Sequence, residues 1–168
     1  RLARHWRYVA SPWHEGDLDR IDADARLLIV GTGLTMVDVV ATLRRRGHRG
    51  EIVAMSRHGL LPQRHTEVPS DAIELPPILL HALRAHDLHA LVAAVRSVSR
   101  LVDDWRTLID ALRPHLQSFW GGLSATQRAR FLRHVCVYWE THRHRMAPRA
   151  ADEIDDALNS GQLQLLRG

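Results

Sequence analysis

Cysteine is nearly missing from this chain. The 168 residues hold a single one, Cys136. An internal disulfide is therefore excluded, and the usage fits a reducing cytoplasm. Long apolar runs are also missing. None approaches the roughly 18 residues that a helix needs to cross a bilayer, so no membrane partner is expected. Blocks of like charge are missing too, although the net charge is +4 and 12 histidines accompany it. The arginines are spread along the chain, so a nucleic-acid tail is not expected. The basic balance suits phosphate ligands instead. There is no initiator methionine and no signal-type apolar core. The chain begins at Arg1 and stops at Gly168, and it reads as a piece of a longer protein.

Several chemistries lack their residues. Ser56 and Ser124 have no glycine elbow around them, so no hydrolase nucleophile is assigned. His81, His86 and His89 have helical spacing but no cysteine or acid cluster to complete a metal site. His142 and His144 are two apart and would diverge on a helix. Neither a metal site nor a catalytic residue is assigned. No internal repeat and no low-complexity segment is present.

What is present begins at residue 26: "RLLIVGTGLTMVDVVATLRRRGHRGEIVAMSRHG". Leu27 to Val30 reads as a short buried strand. Leu34 to Arg46 reads as a helix, with Leu34, Val37, Val40 and Ala41 on one face and Leu43 beside it. Arg44, Arg45 and Arg46 fall in the last turn, where cations suit the helix dipole, and Gly47 can cap it. Glu51 to Met55 is a second strand. The order β-loop-α-β is the unit of a parallel sheet.

The loop between the first strand and the helix holds Gly31 and Gly33. In such a unit this loop faces the carboxyl edge of the sheet. Gly31 permits a tight turn, and Gly33 leaves room for a pyrophosphate to reach the backbone. The helix start at Leu34 then offers free N–H groups. The third position of the usual glycine pattern is Met36. The alternative is that both glycines only make a turn. An acid at the end of the second strand would bind the 2′-hydroxyl of NAD. Arg57 stands there, after Ser56, and that pair suits a 2′-phosphate. His58 and Arg64 could close over the same group. Glu51 sits at the opposite end of the strand. The same observation disfavours S-adenosylmethionine. Blandly read, Arg57 is a solvated surface residue.

The rest is mostly helical. Residues 1–25 form a lead-in containing Trp6, "SPW" and Trp13. Pro69, Pro76 and Pro77 mark a boundary. Leu88, Leu91, Val92, Val95 and Val102 form one stripe. Trp105, Leu108, Ile109 and Leu112 form another, entered through Asp103 and Asp104 and ended near Pro114. "SATQ", Ser124 to Gln127, is a capping box that opens a third helix. That helix is expected to bury Phe131, Leu132, Val135, Tyr138 and Trp139. Cys136 is read as a core or near-core residue. A fourth helix runs from Ala150 to Leu158 and stops near Gly161, and "QLQLL" returns to strand alternation. "THRHR", Thr141 to Arg145, is the densest basic cluster. It is either a cofactor or domain contact or a solvated helix end. The fold expected is α/β, a Rossmann-like parallel sheet with a largely helical insertion. Its parts are a lead-in at 1–25, the β-α-β unit at 26–68, the insertion at 69–160 and a returning strand at 161–168.

Three segments, "LIVGTGLTMVDVV", "SRHGLLPQRH" and "YWETHRHRMAP", resemble FAD/NAD(P)-binding proteins related to flavin monooxygenases and ornithine/lysine N-hydroxylases. Those proteins carry one dinucleotide-binding domain for FAD and a second, inserted into it, for NADPH. The second uses a G-x-G-x-[ST]-x-x-[DE] loop, which falls here on Gly31, Gly33, Thr35 and Asp38, with Thr32 and Leu34 between them. "SPW" resembles the crossover from the FAD domain. The resemblance implies an oxidoreductase piece that binds NADP and presents NADPH to a flavin. Asp38 would accept hydrogen bonds from the loop amides, or merely favour the helix N-terminus. No second glycine fingerprint is present, so FAD is expected on a FAD-binding domain of the same parent protein. This chain alone is expected to be colourless and inactive. Apolar surface left uncovered around Trp6 and Trp13 would allow self-association. The alternative function is a nucleotide-sensing or protein-interaction module without redox activity, with the helical insertion as its partner surface. Nucleic-acid contact through the "SATQRARFLRHV" helix is the least favoured reading.

Overall fold

The computed structural model describes residues 5, 7–14, 16–68 and 71–168. Trp6 and Pro69 lie outside the described residues, as does Arg1. In chain order the elements are β1 (Leu27–Val30), α1 (Leu34–Arg45), β2 (Ile52–Ser56), α2 (Pro77–Arg84), α3 (Leu88–Val98), α4 (Trp105–Leu112), a 3₁₀ turn (Arg113–His115), α5 (Leu116–Gly122), α6 (Ala125–His134), α7 (Cys136–Arg143), α8 (Pro148–Asn159) and β3 (Leu163–Arg167). They fall into two compact units, one of Arg1–His65 with Arg145–Gly168 and the other of Thr66–His144. The molecule is mixed α/β.

The first unit holds a three-stranded sheet in the order β1-β2-β3. Both pairs are parallel, running from Leu27↔Ile52 to Val30↔Met55 and from Ile52↔Leu163 to Ser56↔Arg167. Parallel neighbours need crossover connections, and crossovers of this kind are right-handed. Two that step the same way along a sheet put their helices on one face. That is where α1 and α8 lie. Their apolar stripes close over the sheet in one core, with Val37, Val40, Ile52, Ala54, Ile154 and Leu163 at its centre. Met36 joins this core, buried in the helix face that meets the sheet.

On the other face of the sheet the outer strands are exposed among the described residues, while Val53 and Met55 of the central strand are half-buried. Leu28 is 62% exposed, Val30 83% and Leu166 48%. The expectation that β1 is buried is therefore not met: Leu27 and Ile29 are half-buried against the core, and Leu28 and Val30 are exposed. An all-apolar strand is the pattern of two-sided cover, but no described residue supplies the second layer.

The ends of α1 follow local rules. Arg44 and Arg45 occupy the last turn, and the Gly47 N–H returns to the Arg44 carbonyl at 2.9 Å. Helix α8 starts with Pro148 and buries Ala151, Ile154 and Ala157. This corrects the expected span of the insertion. α8 is the crossover helix of the sheet, so the inserted unit is Thr66–His144 and not 69–160. A helical period reveals an apolar face but not the core on which that face packs.

The second unit is helical. Asp87 and Asp104 cap α3 and α4, each accepting a backbone N–H at 3.0 Å, from Ala90 and Arg106. Ser124 and Gln127 form the expected capping box of α6. Leu79, Leu83, Leu88, Leu91, Leu108, Leu112 and Phe119 build the core. The expected third helix breaks at Val135, between α6 and α7. The break shifts the phase of the apolar face beyond it, and Tyr138 is 53% exposed; Leu132, before the break, is 61% exposed, and burial was expected of both. Cys136 is half-buried.

Candidate functional site at the carboxyl edge of the sheet

Strands β1, β2 and β3 end at Val30, Ser56 and Arg167, so the segments that follow each of them share one edge. The loop after β1 is tied to the turn after β2. The Gly31 N–H donates to the Met55 carbonyl at 2.8 Å. Thr32 is 6% exposed. Its Oγ1 donates to the Leu60 carbonyl at 2.6 Å and lies 2.9 Å from Ser56 Oγ. Ser56 Oγ also accepts the Gly59 N–H at 3.0 Å. Thr32 and Ser56 thus brace the two turns against each other and fix the loop from behind.

The two glycines of the loop are required by different things. Gly31 has φ +111°, a conformation costly for any residue with a Cβ. Gly33 has φ −84° and ψ −170°, open to every residue. A Cβ built on Gly33 meets nothing within 4 Å among the described residues. Neither backbone conformation nor internal packing asks for glycine there. Gly33 is also the N-cap of α1, and no side chain caps the helix. Its carbonyl accepts the N–H groups of Met36 and Val37, at 3.0 and 3.2 Å. The N–H groups of Leu34 and Thr35, in the first turn, have no partner among the described residues. A helix start left open in this way is an anion-binding surface.

The structure brings Gly31, Thr32, Gly33, Leu34, Thr35, Ser56, Arg57 and His58 to this edge. Arg57 is exposed and has no acid partner among the described residues. Three expectations change. The Ser56 hydroxyl is engaged in the brace with Thr32 and Gly59. Arg64 is paired with Asp152 of α8 at 2.5 Å, and its backbone is held against Met146. That pair is solvent-exposed and weak, so the structure shows a competing partner for Arg64 and not its removal from the edge. Asp38 is exposed and makes no hydrogen bond to the loop amides. It is the fifth residue of α1, while capping bonds come from the N-cap and third positions.

One residue at this edge escaped the sequence reading. Arg167 ends β3 directly opposite Ser56, is exposed, and has no acid partner among the described residues. The signal was there: the last residue of a returning parallel strand must reach the same edge as the glycine loop. Arg149, second in α8, is likewise exposed without an acid partner among the described residues. It stands at a helix N-terminus, where a cation is unfavourable.

The amino edge is arranged differently. Arg26 pairs with Glu51 at 2.8 Å, Arg49 with Asp24 at 2.8 Å and Arg46 with Asp19 at 2.5 Å. Arg44 and Arg45 lie in the last turn of α1, which their charge suits.

The two histidines of the "THRHR" cluster are engaged locally. The His142 Nδ1 lies 2.7 Å from the Tyr138 carbonyl and its ring meets Trp105 edge-on at 4.8 Å. His144 pairs with Glu140 at 3.1 Å. Among the described residues, no group of three or more His, Cys, Asp or Glu could hold a metal ion, and no helix is long and apolar enough to cross a membrane. Compared with known proteins, the chain matches no family model, no curated protein and no solved structure.

Proposed function

We propose that this chain binds NADPH across the carboxyl edge of a Rossmann-like sheet and presents its nicotinamide to an FAD held by another domain of the same protein. The observation that carries this is Gly33. Its missing Cβ serves nothing inside the protein, and it opens the approach to an uncapped helix start. That is the cradle a pyrophosphate needs. Arg57, exposed and uncompensated beside it, supports a 2′-phosphate over a 2′-hydroxyl. The hydride chemistry belongs to the cofactors. The work of this chain is to hold the nucleotide in place. The sequence offers no second glycine loop for a flavin, so no step is assigned to one here.

The exposed outer strands of the sheet support the partner in this reading. Leu28, Val30 and Leu166 leave an apolar surface that a parallel sheet ordinarily covers. The flavin-binding domain, or a second copy of this chain, would cover it. The reading as an interaction module draws on the exposed Leu101, Leu132 and Tyr138 of the helical unit.

The test is ligand-dependent melting of the wild type and Gly33→Val. NADPH at about a hundred times its Kd stabilises a binder by about 2.7 kcal/mol. The variant is expected to melt within about 4 °C of wild type without ligand and to show no NADPH shift. A normally folded variant that still gains the shift defeats the phosphate-loop reading. Duplex DNA in place of NADPH is expected to change nothing.

A further inference from the structure

We infer that Arg167 is a specificity-determining residue of this edge, completing with Arg57 a two-arginine clamp on the ribose 2′-phosphate of the bound nucleotide. The inference rests on the NADPH reading above and adds a residue and a role to it.

Charge sets the need. A phosphate monoester carries about −1.5 to −2 at neutral pH, and one guanidinium leaves much of that uncompensated. The cation that sequence spacing offers as a second partner, Arg64, has a competing partner in Asp152. The Ser56 hydroxyl is held by Thr32 and Gly59. Beside Arg57 and His58, the parallel register supplies a further donor at this edge. Arg167 is paired with Ser56, and Arg57 is the next residue along. Adjacent strands lie about 4.8 Å apart, so the two arginines leave neighbouring strand ends.

The backbone at Arg167 is fixed as a site requires. Pairing continues past it, since the Gly168 N–H donates to the Ser56 carbonyl at 3.2 Å. The turn after β2 passes close by, and a Cβ at Gly59 would lie 3.4 Å from the Arg167 Cβ. Arg167 shares a sheet face with Ser56, the face covered by α1 and α8. Both helices run back from this edge, so both turn their N-termini toward it. No carboxylate neutralises Arg167 among the described residues, whereas Arg26, Arg46 and Arg49 at the amino edge each have one. Two guanidinium forks can each give two parallel N–H bonds to one phosphate, a geometry an ammonium cannot copy.

The experiment is calorimetric titration of the whole chain with NADPH, NADH, adenosine 2′,5′-bisphosphate and 5′-AMP. It is run on wild type, Arg167→Ala and, as a control, Arg149→Ala. Arg167→Ala is expected to weaken NADPH and the bisphosphate about tenfold or more, and to leave NADH and 5′-AMP within about twofold. Its melting temperature should stay that of wild type, because the side chain is exposed. Arg149→Ala is expected to leave all four within about twofold. Equal losses for NADPH and NADH would place Arg167 on the shared pyrophosphate or adenine and overturn the inference. So would unchanged NADPH binding, or a loss seen only with Arg149→Ala. In those cases NADPH still binds the wild type and the wider reading stands. A wild type that binds none of the four ligands ends the NADPH reading and this inference together.

Discussion

The two edges of the small sheet are built from similar residues and treat them in opposite ways. At the amino edge Gly50 is closed in: a Cβ there would lie 2.1 Å from the Ala25 carbonyl oxygen. The N–H groups of Arg49 and Gly50 both donate to the Ala23 carbonyl, at 2.6 and 3.1 Å. Arg26, Arg46 and Arg49 at that edge are matched with carboxylates, while Arg44 and Arg45 are not among the described residues. At the carboxyl edge Gly33 faces open space, the helix start is uncapped, and Arg57 and Arg167 stand without acids. At the amino edge the glycine and three of the arginines are explained by the protein's own contacts, although the buried His48 ring nitrogens make no hydrogen bond among the described residues. The carboxyl edge is left with unmet hydrogen-bonding groups and positive charge, and a ligand is the simplest way to meet both.

Five substitutions test this contrast. The largest effect is expected from Gly50→Ala. Because the clash is with backbone, it should destabilise the chain by about 3 kcal/mol, while Gly33→Ala costs less than about 1 kcal/mol. Chemical denaturation of both variants measures this. Equal costs would mean that the two glycines do the same job. Next is Arg57→Ala, which should weaken NADPH ten- to a hundredfold, about 1.5 to 3 kcal/mol, and spare NADH. A titration in which NADPH is untouched removes Arg57 from the site. Gly31→Ala comes third. Its φ of +111° strains a residue with a Cβ, and the expected loss is on the order of 1 kcal/mol. A loss in stability at position 31 and a loss in binding at position 33 would separate the turn glycine from the ligand glycine. The smallest effect belongs to Arg26→Ala at the amino edge. That pair is solvent-exposed and should contribute only about 0 to 1 kcal/mol, with no change in nucleotide affinity. A shift in NADPH binding from Arg26 would show that charge acts over the whole sheet and not at one edge.

The same asymmetry appears in what the sequence could tell. Local devices were legible. The helix from Leu34, the caps at Asp104 and Ser124, the stop near Gly161 and the returning strand are all found where short-range rules put them. So was the tight turn at Gly31, because a glycine between an apolar strand and a helix has few other uses. Burial was less legible. Leu28 and Val30 read as buried because they are apolar, but what covers a strand is set by distant elements. Tyr138 fell on the wrong side because a break of one residue, at Val135, changes the helical phase beyond it; Leu132 lies before the break and is exposed because no described element packs on its side of α6.

For the site itself, the sequence by itself determined the loop, its glycines and the cation that follows β2. These lie within one β-α-β stretch, and their geometry follows from turn chemistry and helix polarity. Tertiary structure decided which partners the neighbouring side chains meet. Arg64 has a competing partner in Asp152, 88 residues further on. Ser56 is engaged by Thr32, 24 residues before it. Arg167 is delivered to the edge by the register of β3, after the inserted helical unit. Hydrogen bonds and ion pairs across such separations depend on how strands align and helices cross, and no local pattern encodes that.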